Sequence, residues 1–230
     1  MSSEIKADKW SPASGTAGTI GDSGDTFTVP SGVTLDIASG ATLDTTGATV
    51  TGVPYTYTKI ESKTIVDTQT TTVSFEDCFS STYRSYFIHV PRVNSRTDGD
   101  QILARLISAS GDYTSSHYQY AINGYSSGGN EDRANGDAAS SWVILDTMDS
   151  SSSASHMCNF TGWICNPNTT NTSYCQATLS GGFRNDSDNE WVGFQSGLNI
   201  YNNTAFTGIK FYVPASSFQN FVGTIYGVNL

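Results

Sequence analysis

The chain has 230 residues, a formal net charge of −10 and only 14% charged residues, whereas an average domain has about 25%. Ser, Thr, Asn and Gly therefore supply much of its polarity. These residues favour turns, and the 12 Tyr and 11 Phe residues suit half-buried strands. The composition predicts an all-β protein without long helices. Because the charge is acidic and Lys and Arg are not clustered, it argues against a nucleic-acid partner.

The first residues have none of the features of a targeting or membrane segment. Residues 1–10 lack a basic stretch followed by an apolar one, and no run approaches the roughly 20 apolar residues that cross a bilayer. We therefore expect synthesis in the cytosol and no membrane insertion. The four cysteines are then expected to be reduced, and their spacing lacks the close C-x-x-C pairs of a structural zinc site. They are Cys78, Cys158, Cys165 and Cys175.

Residues 1–21 show no hydrophobic periodicity and are rich in Gly, Ala, Ser and Thr. Such a segment is not expected to fold unless something holds it. It contains a single Trp-Ser-Pro sequence, from Trp10 to Pro12. We interpret residues 1–21 as an attachment peg, with Trp10 and Pro12 as candidate contact residues.

A short repeat follows in residues 22–52. Ser-Gly-Val-Thr-Leu-Asp-Ile-Ala at 31–38 is followed directly by Ser-Gly-Ala-Thr-Leu-Asp-Thr-Thr at 39–46, so the period is eight residues. Each unit combines a glycine-containing turn with a strand in which apolar and polar residues alternate. The strands would therefore present one apolar face. The candidate residues of that face are Val33, Leu35, Ile37 and Leu43.

A strand ladder of about thirty residues cannot bury its apolar face without a neighbour. We expect three chains to supply it around a threefold axis, in a trimeric β-prism with these four residues at its centre. A monomeric β-solenoid packed on the rest of the chain is the alternative. Residues 53–72 alternate moderately and end in a Thr-rich tract, so they are expected to form a neck.

From residue 73 onward, short aromatic or β-branched runs are separated by Gly, Asn, Asp and Ser clusters. This pattern is typical of an antiparallel β-sandwich and predicts a jelly-roll-like tip domain over residues 73–230. The only segment that permits a helix is 215–221. The predicted strands are 83–93, 101–108, 117–122, 141–146, 155–165, 173–179, 190–194, 205–213 and 221–227.

Two parts of the chain resemble structural proteins of tailed bacteriophages. Residues 21–37, Gly-Asp-Ser-Gly-Asp-Thr-Phe-Thr-Val-Pro-Ser-Gly-Val-Thr-Leu-Asp-Ile, are similar to a segment near the N-terminus of tail-fibre and virion proteins, especially of marine phages. The C-terminal part is similar to a terminal domain of phage tail proteins. The motifs are Tyr-Phe-Ile-His-Val at 86–90, Gln-Ile-Leu-Ala-Arg-Leu at 101–106, Tyr-Gln-Tyr at 118–120, Thr-Gly-Trp-Ile-Cys-Asn-Pro at 161–167 and Phe-Thr-Gly-Ile-Lys-Phe at 206–211. The ending, Gly-Thr-Ile-Tyr-Gly-Val at 223–228, is one residue shorter than in that family.

The resemblance implies a homotrimeric virion component that is assembled in the host cytoplasm. It would dock by its N-terminus on other virion proteins and display its C-terminal domain for adhesion to the host surface. The tail is the attachment point that the resemblance favours. A capsid decoration spike or head fibre is one alternative, and a carbohydrate-binding module without a mechanical role is another.

The titratable residues do not form a recognisable catalytic motif. The three histidines lie in strand-like runs without a G-x-S-x-G elbow or an H-E-x-x-H motif, and the carboxylates lie in turn-rich segments where Asp caps turns. We therefore expect a protein that is not an enzyme and has no cofactor. Asp186, Asp188 and Glu190 alternate like calcium ligands but lack the glycine of an EF-hand, so a calcium site remains an alternative to turn capping.

Aromatic residues are the more promising binding residues. Tyr113 lies in the polar tract 111–116 and Tyr125 directly precedes the tract 126–136, and a Tyr side chain is apolar along its ring and polar at its tip. They could bind sugar rings of a host-surface polysaccharide or a partner protein, whereas core packing is the alternative role. The candidate surface-binding residues are Tyr113, Tyr125, Trp142 and Trp163.

Overall fold

A computed structural model describes residues 28, 31, 56–66, 68–97, 99–129, 131–148, 158–170, 175–184 and 190–229. The chain divides into two compact units, residues 1–51 and 52–230. The described strands all belong to the second unit. The predicted peg and, apart from residues 28 and 31, the predicted repeat shaft fall outside the described part of the chain, as do the residues named for them. These residues are Trp10, Pro12, Val33, Leu35, Ile37 and Leu43.

The described residues form thirteen β-strands and no helix, which confirms the prediction of an all-β fold. Residues 214–217 contain bends instead of a helical turn, and β13 begins directly after them. The strands are β1 (Thr56–Val66), β2 (Thr72–Phe75), β3 (Ser85–Ser95), β4 (Asp100–Ser108), β5 (Gly111–Asp112), β6 (Tyr118–Ser126), β7 (Glu131–Ala139), β8 (Trp142–Met148), β9 (Cys158–Cys165), β10 (Cys175–Arg184), β11 (Trp191–Ile200), β12 (Phe206–Tyr212) and β13 (Phe218–Asn229).

These strands form two antiparallel sheets. The larger sheet has eight strands in the order β1-β13-β3-β9-β10-β11-β6-β7. The smaller sheet has the order β2-β12-β4-β5, and β8 also pairs with β4. Each strand predicted from the sequence overlaps an observed strand, whereas β1, β2, β5 and β7 were not predicted. Strand β1 lies within the segment expected to be a neck and is the edge strand beside β13.

The two sheets pack face to face, and phenylalanine rings fill much of the space between them. Phe75 of β2 and Phe211 of β12 belong to the smaller sheet, and their ring centroids lie 6.2 and 5.6 Å from that of Phe221 in the larger sheet. Phe160 of the larger sheet lies 5.7 Å from Phe211. Each buried aromatic side chain removes about 150–250 Å² from water, so this cluster stabilises the contact between the sheets.

Trp142 is a second contact between the sheets. Its side chain is fully buried, and its indole Nε1 donates a hydrogen bond of 2.8 Å to Ser196 Oγ on β11. Ser196 Oγ in turn donates to the carbonyl oxygen of Val143 at 3.2 Å. The interpretation of Trp142 as a surface-binding residue is therefore wrong. The sequence of β8 did not predict this burial, because an aromatic residue at the start of a strand suits either the core or the surface.

No disulfide joins the four cysteines in the structure. Cys78, Cys158 and Cys175 are buried, whereas Cys165 is half-buried and lies on the outward side of β9. Burial raises the pKa of the Cys78 thiol to about 12 and also raises that of Cys175. Both thiols are thus neutral at physiological pH and poor nucleophiles.

Candidate functional site

Strand β11 carries two outward glycines that leave a recess on the outward side of the larger sheet. Its residues alternate between core and solvent, as expected when one face of a sheet is buried. Val192, Phe194 and Leu198 point into the core. Gly193 and Gly197 occupy outward positions, where an added Cβ atom would meet no heavy atom within 4 Å. We call the side of the larger sheet to which these glycines belong the outer face.

Two open depressions lie next to each other on this outer face. The first has a volume of about 570 Å³ and includes Gly197. The second has a volume of about 530 Å³ and includes Gly193. The two glycines are four residues apart on a strand, which corresponds to about 13 Å. The depressions therefore form one elongated recess along β11 and its neighbours.

Carboxamide and hydroxyl side chains line both depressions, beside apolar and glycine positions. Such side chains both donate and accept hydrogen bonds. The carboxamides are Gln119, Gln176 and Asn199 in the first depression and Asn123, Asn159 and Gln195 in the second. The hydroxyls are Thr178 in the first depression and Thr161 and Ser180 in the second. Of the lining residues that the structure describes, only Asp137 is charged.

Part of the first depression is organised by hydrogen bonds across three strands. Asn199 Nδ2 on β11 donates to Gln119 Oε1 on β6 at 3.1 Å. Gln119 Nε2 then donates to Asp137 Oδ1 on β7 at 3.0 Å. These bonds fix which end of each amide is the donor. Asn199 Oδ1 and, in the second depression, Thr161 Oγ1 are buried and have no hydrogen-bond partner among the described residues.

Two of the predicted surface aromatics lie on this same outer face. Tyr125 is 54% exposed and pairs directly with Gly193 across strands β6 and β11. Trp163 is 38% exposed on β9 and shares a cross-strand row with Thr178 and Gly197. An exposed aromatic ring thus lies in the row of each of the two glycines. Binding by Tyr125 or Trp163 remains a prediction.

Trp163 also belongs to an aromatic cluster that extends to the edge of the larger sheet. Its ring centroid lies 5.3 Å from that of Phe87 and 6.1 Å from that of Tyr57. Tyr226 completes the cluster at 6.3 Å from both Phe87 and Tyr57. Because Trp163 packs against neighbouring rings, its orientation is restrained and its exposed side forms a rigid apolar surface.

Tyr113 is not a surface platform. Only 8% of the residue is exposed, and its ring packs edge-on against Phe206 with the centroids 5.1 Å apart. Its hydroxyl group lies 2.7 Å from His117 Nδ1. Because Tyr113 closes the core beside β5, the prediction that it binds a ligand at the surface is wrong. A flanking polar tract does not reveal towards which side an aromatic residue points.

The alternative of a calcium site receives no new support. Asp186 and Asp188 lie outside the described residues. Glu190 is half-buried, and its carboxylate contacts Gly128 in the turn between β6 and β7. Within the described ranges, no group of three His, Cys, Asp or Glu residues could hold a metal ion, and no helix is long and apolar enough to cross a membrane.

The amide and glycine positions of the outer face were missed in the sequence because only aromatic and titratable residues were considered. A usable signal was present in Trp-Val-Gly-Phe-Gln-Ser-Gly-Leu-Asn-Ile at 191–200, where apolar residues alternate with Gly, Gln and Asn. Comparison of the chain with protein-family models, curated proteins and solved structures found no match. The arrangement itself can form hydrogen bonds and contact apolar ring faces over an extended, nearly uncharged surface.

Proposed function

We propose that this chain is a non-enzymatic structural component of a bacteriophage virion, a tail fibre that docks by its N-terminus and displays an adhesive C-terminal domain. In this proposal residues 1–21 attach to other virion proteins and residues 22–52 form a homotrimeric shaft. Residues 73–230 then form the jelly-roll-like tip. The particle is assembled in the host cytoplasm.

The observation that supports this proposal best is the order of the two parts. An eight-residue repeat at 31–46 precedes a two-sheet domain whose larger sheet presents an open outer face with few charges. A repeat that requires neighbours favours an oligomeric shaft, and an open hydrogen-bonding face favours adhesion. The resemblance of residues 21–37 to phage fibre segments supports a location of the chain in the virion.

Deletion of residues 1–21 tests the docking role. We expect the truncated protein to form the same oligomer as the full chain but to be missing from purified particles, as measured by immunoblotting of the particles. A matched control is the full chain with Asn123→Ala and Gln195→Ala, which changes the tip and should enter particles normally. Normal incorporation of the truncated protein would contradict the proposal.

A capsid decoration spike or head fibre is the second candidate, because the repeat and the sandwich suit a short fibre on either surface. Labelling of particles with an antibody against residues 73–230, followed by electron microscopy, separates the two locations. Label at the tail supports the tail fibre, and label over the capsid supports the spike. Absence of the protein from particles would favour a carbohydrate-binding module without a mechanical role.

A further inference from the structure

We infer that the outer face of the larger sheet is a binding site for an extended, uncharged polysaccharide, held along the line from Trp163 past Gly197 and Gly193 to Tyr125. This inference rests on the proposed adhesive function and names its ligand class and its residues. It assigns the binding to the face of the sheet and not to the polar loops.

The two outward glycines are the first argument. Glycine in the interior of a strand is destabilising relative to alanine, because it loses more conformational freedom on folding. It often marks a bulge, a tight bend, or a place where a ligand or another backbone approaches closely. The pairing of β11 with β10 and β6 is regular on both sides, and no heavy atom lies within 4 Å of a Cβ added at Gly193 or Gly197. The open space above both glycines would admit a ligand that approaches the backbone closely.

The chemistry of the lining residues is the second argument. Carboxamides and hydroxyls match the hydroxyl groups of a sugar chain, which are also both donors and acceptors. Asn199 and Gln119 are already oriented by their mutual hydrogen bond, so less side-chain entropy is lost on binding. The exposed rings of Tyr125 and Trp163 offer apolar surfaces to the C–H faces of sugar rings.

The charges on and around the outer face favour an uncharged polysaccharide over an anionic one. The outward residues of β6, β9, β10 and β11 are uncharged except Arg184 at the end of β10. The whole chain has a net charge of −10, so an anionic polymer would be repelled over most of the surface. An uncharged polysaccharide needs neither a basic patch nor a metal ion.

The same residues disfavour a second copy of this chain as the occupant. The two depressions carry six carboxamide side chains among their lining residues, together with apolar and glycine positions. A copy seated on this face would have to pair many amide groups that water satisfies in the free protein. A mobile, hydroxyl-rich polymer satisfies them more easily.

The test compares the full chain with a variant in which the depressions are filled. Gly193→Leu together with Gly197→Leu adds side chains into open space, so we expect the fold to be retained. Binding is measured by affinity electrophoresis in gels that contain dextran, mannan, galactan or xylan, with alginate as an anionic comparison. We expect at least one uncharged polymer to retard the full chain, and the double variant to lose at least tenfold in affinity.

Two further variants make the outcome specific. Thr64→Leu adds the same apolar side chain to an exposed position of β1, away from the depressions, and should bind like the unmodified chain. Asn123→Ala with Gln195→Ala removes two amides without adding volume and should weaken binding. The inference is overturned if none of the four uncharged polymers binds, if only alginate binds, or if the double leucine variant binds normally.

Light scattering on the same samples tests whether a second copy of this chain occupies the outer face. A change in oligomeric mass in the double leucine variant, without polysaccharide binding by the unmodified chain, would assign the outer face to a second copy and overturn the inference. Failure of the inference is distinct from failure of the proposed function, because a fibre that binds no polysaccharide would still be present in purified particles.

Discussion

At the scale of single residues, tryptophans in similar sequence contexts have opposite roles. Trp142 and Trp163 both lie on strands, yet Trp142 is fully buried between the sheets and Trp163 is 38% exposed on the outer face. Trp191 is more exposed still, at 51%. What separates them is the direction of the side chain within each strand, since neighbouring positions of a strand point to opposite faces.

We expect Trp142→Ala to be strongly destabilising. It removes a fully buried indole and the hydrogen bond to Ser196 Oγ, so the free energy of unfolding should fall by about 3–5 kcal/mol. Trp191→Ala is the matched control and should cost about 1 kcal/mol or less, because its side chain is half exposed. Urea unfolding at one fixed protein concentration measures both. Equal losses in the two variants would show that Trp142 does not stabilise the core as described.

At the scale of elements, β9, β10 and β11 form an uninterrupted antiparallel meander at the centre of the larger sheet. Their pairing shows no register shift, so residues of the outer face align in rows. The glycines of this meander fall into two classes. A Cβ atom added at Gly162 would collide with the carbonyl oxygen of Thr178 and lie 2.7 Å from the Cα atom of Leu179. One added at Gly197 would meet open space.

We therefore predict opposite effects for alanine at these two glycines. Gly162→Ala forces the backbones of β9 and β10 apart and should lower the free energy of unfolding by about 1–3 kcal/mol. Gly197→Ala should be neutral or stabilising by up to about 1 kcal/mol, because alanine restricts the unfolded chain. Thermal unfolding followed by circular dichroism distinguishes the two variants. A similar loss of stability in both would mean that Gly197 has a structural role, which would also weaken the assignment of the ligand site.

At the scale of the whole molecule, the predicted trimeric repeat would multiply the number of outer faces that can bind a ligand. A single face with a weak affinity for a polymer gives weak attachment, whereas several linked faces bind the same polymer with much higher avidity. Trimer formation through residues 22–52 would supply three such faces. The oligomeric state therefore decides whether the proposed adhesion is strong enough for a virion.

We predict that the full chain is a homotrimer, with a mass in solution three times its 24.6 kDa. Leu35→Asp with Ile37→Asp should dissociate it, because carboxylates at the centre of a prism would be desolvated and close to their own copies. Thr34→Asp, at a polar position of the same repeat, is the control and should leave the trimer intact. Multi-angle light scattering gives the masses. A monomeric mass for the unmodified chain, or an intact trimer in the double variant, would contradict the trimeric shaft.

The sequence by itself determined the class of fold and most of the strands. Turn-forming residues and alternating aromatic runs predicted the strands from β3 to β13 apart from β5 and β7. Those exceptions have physical reasons. Strand β7, Glu131–Ala139, is polar because it lies at the sheet edge and is only partly covered, and β5 has just two residues. Their strand conformation depends on pairing with β6 and β4, which local sequence does not encode.

Only the tertiary structure decided which side chains share a surface. Trp163, Gly197 and Tyr125 lie on three different strands and are separated by up to 72 residues in the chain, yet cross-strand pairing places them on one face. The same pairing directed Trp142 and Tyr113 into the core. Alternation predicts that a strand has two sides, but which side faces the core depends on the opposite sheet, because burial is a property of the packed pair of sheets and not of a strand.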